Sequence, residues 1–161
     1  MKKLSVLALG LIISASSFAV KVGYVNSQEL FSRYSHTKTV QDNLNKEKAR
    51  LENELKQKEI SLQKMQVELQ AKGNAVTDAE KQKFQKSVDE FQKTVRDSQT
   101  KLNKEEMTRL QEIERIMNSS IQNVAKTDKY DYVFEQGAIK FGGDDITDKV
   151  LQVMEKTAKV K

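Results

Sequence analysis

The chain has 161 residues, room for one ordinary domain, with 28 Lys and Arg against 23 Asp and Glu, a net charge of +5, and no Pro, Cys or Trp. Those absences exclude a disulfide scaffold, a thiolate metal site and a loop-rich binding domain punctuated by Pro and Gly. Charged residues at 32% and apolar ones at 37% are lean for a globule and suit long solvated helices.

Met1-Lys2-Lys3 is a short basic start, Leu4 to Ile13 is an almost unbroken apolar run, and Ser17-Phe18-Ala19 sets small residues at the two positions a signal peptidase reads. Residues 1–19 are therefore expected to be a cleaved signal peptide and the product exported. A retained anchor fits worse, because a spanning helix needs about 20 apolar residues. Only 16 residues lie between Lys3 and Val20, four of them Ser. Cleavage leaves 142 residues carrying +3, about a third of them apolar, too few for one large core. With no Cys, lipid attachment at the new N-terminus is excluded.

The first element after the leader is strand-like, Lys21 to Asn26. A helix is expected from near Ser27, capped by Asn26 with Glu29 three residues on, and running to Lys72. Ser35-His36-Thr37 form helix weakly and leave the continuity of this arm near its root open. Leu44, Leu51, Leu55, Leu62, Met65 and Leu69 follow alternating four- and three-residue steps, with Lys48 and Lys58 as the polar members of the series.

Gly73-Asn74 suits a left-handed residue closing that helix, and Thr77 with Glu80 makes a capping box that opens the next one. Phe84, Val88, Phe91, Val95 and Leu102 keep the heptad register. Leu110, Ile113, Met117 and Val124 then form a stripe shifted as by a stutter. Residues 37–126 thus read as an antiparallel coiled-coil hairpin with its tip near 73–76.

After it, Tyr130 to Glu135 and Ala138 to Phe141 read as two strands joined at Gln136-Gly137 with β-hairpin spacing. A last helix is expected with Asp145 as N-cap and Ile146, Val150, Val153 and Met154 on one face. The fold class is α+β, with residues 20–36 and 127–161 forming a small β-rich body into which the helical hairpin is inserted. So small a body leaves open sheet edges, and oligomerisation through the sheet is the natural remedy. Val22, Tyr24, Val25, Val133, Phe134, Ile139 and Phe141 are the candidate self-association residues.

Catalytic chemistry is sparse. His36 is the sole His, no nucleophile stands in an elbow or phosphate-loop context, and the acidic pairs Asp89-Glu90, Glu105-Glu106 and Asp144-Asp145 read as surface or cap. The chain is expected to be no enzyme and to carry no cofactor or metal. Charge is more informative: residues 56–104 hold 11 basic and 7 acidic side chains, so the outer hairpin carries the whole positive surplus. This is either a solubilising mixed-charge surface or a field that attracts acidic clients or anionic headgroups. Ile60, Val67 and Val76 lie off the seams and point the same way. With Lys64, Lys72, Lys81, Lys83 and Lys86 they are the candidate client-binding residues.

The leader, Val22-Gly23-Tyr24-Val25-Asn26, Leu30-Phe31, the long charged hairpin, Lys129-Tyr130-Asp131-Tyr132-Val133-Phe134 and Asp145-Ile146-Thr147-Asp148-Lys149-Val150 together resemble the Skp/OmpH family of periplasmic chaperones over the entire mature chain. The chain departs from the family pattern in having Asn26 where an Asp is common and no Pro after Phe31. The resemblance implies a jellyfish-shaped homotrimer with a β-barrel body and helical tentacles. It implies an ATP-independent holdase that encloses unfolded outer-membrane proteins in the periplasm and keeps them from aggregating. Client identity, binding of lipopolysaccharide or anionic lipid, and arm opening angle stay open. A structural coiled-coil spacer of the cell envelope is the alternative. Nucleic acid is not expected as a partner, given export, +3 on the mature chain and no base-stacking aromatic cluster.

Overall fold

A computed structural model describes residues 20–158, so the expected signal peptide lies outside the described residues. Strand β1, Val22–Val25, runs into helix α1, Ser27–Arg33, with the Glu29 amide donating to the Asn26 Oδ1 at 2.9 Å as the cap spacing predicts. The helix then breaks at Tyr34, whose ψ of 119° is extended, and α2 starts afresh over Ser35–Lys72. A carboxylate supplied from far along the chain caps this restart. The amide and hydroxyl of Ser35 donate to Glu155 at 2.7 and 2.5 Å.

α2 ends at Gly73, whose φ of 51° carries a ψ of −120°, so the expected left-handed cap is replaced by a glycine turn and one 3₁₀ turn over Gly73–Ala75. The capping box forms, with the Thr77 hydroxyl accepting from the Glu80 amide and the Glu80 carboxylate accepting from the Thr77 amide, and α3 spans Asp78–Thr127. α3 runs back beside α2. Lys72 pairs with Glu80 next to the turn, Lys101 pairs with Glu47 at 2.7 Å further in, and Leu44 shares a groove with Leu102. Leu51 and Ser98 are both buried in this stretch.

The expected β-hairpin is not there. β2 is Tyr132–Glu135, Gln136–Ala138 makes a 3₁₀ turn, and residues 139–141 pair with nothing. β3 is the two residues Asp144–Asp145, and the sheet is parallel in the order β2-β1-β3. A two-residue turn cannot join parallel strands, which need a longer crossover. Positive φ falls at Gly142 and Gly143, 76° and 90°, where the chain bends into β3, and not at Gly137.

α4, Thr147–Ala158, begins after Asp145, whose carboxylate accepts from the Thr147 amide at 2.9 Å. Helix α4 and α1 pack with the root of α3 over one sheet face. Val25, Leu30, Tyr34, Ile113, Ile146, Val150 and Met154 form the best-buried part of the core there.

Candidate functional site

Two surfaces remain outside this core, one on the sheet and one along the arm. In β1, Gly23 and Val25 point inward and are buried, while Val22 and Tyr24 point to the other face. In β2, Val133 packs against the core, whereas Tyr132 and Phe134 are 58% and 43% exposed, their rings stacked at 6.1 Å between centroids. Of the residues expected at a self-association surface, Val25 is buried in the chain's own core and Val133 is half-buried against it, as strand alternation places them. Val22, Tyr24 and Phe134 keep the role open to them. Ile139 is half-buried outside any strand, and Phe141 stands fully exposed in the connection to β3. The outcome is a parallel sheet whose second face is only partly covered, by the connection that runs past Val22 and Tyr24, and leaves Tyr132 and Phe134 exposed, although such sheets are ordinarily covered on both sides.

On the arm, the structure separates the candidate client residues. Val67 is plainly exposed, while Ile60 and Val76 are half-buried. Lys72 is engaged by Glu80, and Lys81 by Asp78 at 3.1 Å. Among the described residues Lys64, Lys83, Lys86 and Lys93 form no ion pair. Of the 11 basic side chains over residues 56–104 only Lys72, Lys81 and Lys101 are in ion pairs, so the free positive charge is spread along the outer arm over the other eight and is not gathered on the tip lysines.

Held carboxylates mark the two ties between α2 and α3. Hydrogen bonds from Arg50 and then Lys101 hold Glu47 down to about 2. Those from Lys72 and Thr77 do the same for Glu80, also about 2.

Apolar exposure also appears where the sequence had not flagged it. Met107 is 64% exposed, and Val95 and Leu110, placed on the seam stripes, are partly exposed too. Met107 lies off every heptad position, so the criterion that singled out Val67 finds it once applied to α3. Near the tip, Met65, Leu69 and Phe84 line an open cavity of about 110 Å³ rimmed by Glu68, Lys72, Glu80 and Lys83. Among the described residues no cluster could hold a metal ion. His36 packs against the Tyr34 ring at 5.8 Å. No helix among the described residues is long and apolar enough to cross a membrane.

This combination of a small parallel sheet, a terminal helix and a long two-helix arm has a family counterpart. The family model described as outer membrane protein (OmpH-like) matches residues 21–154. The chain belongs to the OmpH-like family. The OmpH-like chain also shares its fold with a crystal structure of an OmpH-like protein from Caulobacter crescentus CB15, at a TM-score of 0.74 and 19% identity, covering 86% of each chain. No curated protein matches it. Family membership accounts for the chain as one unit, since the match begins just before β1 and ends within α4.

Proposed function

We propose that the protein is an ATP-independent periplasmic holdase that binds unfolded outer-membrane β-barrel precursors and prevents their aggregation, acting as a homotrimer. The observation that carries this reading is the arm. At about 1.5 Å per residue, the 38 and 50 residues of α2 and α3 extend roughly 57 and 75 Å. Along that length the arm has a thin seam, unpaired lysines, dispersed exposed apolar side chains and no deep pocket.

Such a surface suits weak, reversible contact with many apolar chains. The unpaired lysines gather acidic clients by Coulomb attraction whose reach near physiological salt is about 8 Å. The same field would attract anionic lipid or lipopolysaccharide headgroups.

Residues 20–36 and 127–161 would form the body and 37–126 the arm. The partly covered sheet face, with Tyr132 and Phe134 exposed on it, supports self-association. Tyr132 and Phe134 lie on one edge strand, and Phe141 lies in the connection to the other, an arrangement suited to head-to-tail contacts that close a ring.

Diluting a porin-type client from urea into stoichiometric trimer should suppress its light scattering, and unchanged scattering would overturn the holdase reading. Phe134→Asp with Phe141→Asp should give monomers by sedimentation, whereas a persisting trimer would move the contact to the arms.

A further inference from the structure

The described methionines differ sharply in their surroundings. Met154 is fully buried and Met117 packs against the core, whereas Met107 points into solvent from α3. Met65 is intermediate: it is half-buried on the seam yet lines the solvent-open cavity of about 110 Å³ with Leu69 and Phe84. A thioether in that position is reachable by a small oxidant and contributes to packing at the same time.

Around this cavity the helices are held otherwise by polar contacts at the surface. Lys72 pairs with Glu80, and the capping box ties Thr77 to Glu80, all solvent-exposed. Exposed pairs of this kind add little to stability. The apolar layer of Met65, Leu69 and Phe84 therefore does most to zip the outermost turns of α2 and α3.

We infer that Met65 is an oxidant-addressable modification site, and that its conversion to the sulfoxide unzips the outer end of the arm and exposes Leu69 and Phe84. The co-reactant is a two-electron oxidant of the peroxide class. The Met65 sulfur gives an electron pair to one peroxide oxygen, the O–O bond breaks, that oxygen remains as the sulfoxide, and the other leaves as water. The product replaces an apolar, flexible group with a polar, chiral one, which a packed seam accommodates poorly. Met107 serves as the internal control, because its oxidation changes a side chain that already faces water.

The experiment treats the purified protein with hydrogen peroxide and maps the sites by peptide mass. Amide exchange and binding of an apolar dye are then followed in wild type, Met65→Leu and Met107→Leu. Both Met65 and Met107 should gain one oxygen while Met154 does not. Amides of residues 66–72 and 78–85 should exchange about tenfold faster in oxidised wild type and Met107→Leu, with those of 113–124 unchanged. Met65→Leu should show neither the faster exchange nor the added dye. Met65→Gln should reproduce both without oxidant. Three results would overturn the inference: Met65 unmodified once Met107 is fully converted, unchanged exchange with Met65 as the sulfoxide, or faster exchange that tracks Met107. Both readouts dispense with client, so their failure leaves the holdase reading standing, and failure of the scattering assay leaves this one standing.

Discussion

The root of the molecule and its outer arm are built on opposite principles. At the root, Leu30, Val150 and Met154 are wholly buried, and the ties join residues far apart in sequence: Asn26 to Thr147, Ser27 to Glu135, Ser35 to Glu155. In the outer arm most hydrogen bonds and ion pairs are three or four residues apart, as between Lys81 and Asp78 or Gln85 and Asp89, and the seam side chains are mostly half-buried. The root gains its rigidity from long-range burial. The arm gains its length from local helix chemistry, which leaves its flanks available for contact.

On that contrast, the cost of a substitution should fall with distance from the root. Met154→Ala removes a fully buried side chain from where α1, α3 and α4 meet and should cost about 2–5 kcal/mol in urea unfolding, with loss of the sheet. Leu51→Ala, in the buried stretch of the arm, should cost about 2 kcal/mol, near the low end for a large-to-small change because the thin seam can relax. Thr77→Ala removes the cap of α3 and should cost about 1 kcal/mol, seen as faster amide exchange at the tip while the root is unaffected.

The smallest effect belongs to acid. Glu47 and Glu80 titrate near 2 in the folded arm against 4.5 ordinarily, so their contribution is complete above about 4.5 and is lost as pH falls toward 2. Helicity measured by circular dichroism should fall slightly over that window. The fall should shrink in Lys101→Met and Lys72→Met, and at high salt. A larger acid loss in those variants than in wild type would contradict the assignment.

What could be read from the sequence divides along the same line. Helix starts at Asn26 and Thr77 were legible because the cap and its partner lie three residues apart. The break at Tyr34 was signalled by the weak formers after it, but its position depends on Glu155, which no local pattern connects to Ser35. Strand pairing was misread for a related reason. β3 is two aspartates without strand character, and Gly23 and Val25 find their partners more than a hundred residues away.

Val67 is exposed, as its off-seam position implies. Lys72 is engaged across the turn by Glu80, eight residues on, which no helical spacing connects to it, whereas the Lys81 and Asp78 pair has an ordinary three-residue helical spacing. Ser98 went unnoticed at a seam position because a buried serine leaves no apolar mark.

β1 lies in the middle of the sheet, yet it comes first among the described elements, and both its neighbours lie more than a hundred residues further on. A polypeptide emerging N-terminus first must therefore leave its earliest strand unpaired while α2 and α3, needing only each other, wind up behind it. Closing so distant a loop is slow compared with zipping a local pair of helices. That topology predicts an arm that forms before the body, the body closing only when β2 and β3 arrive beside β1.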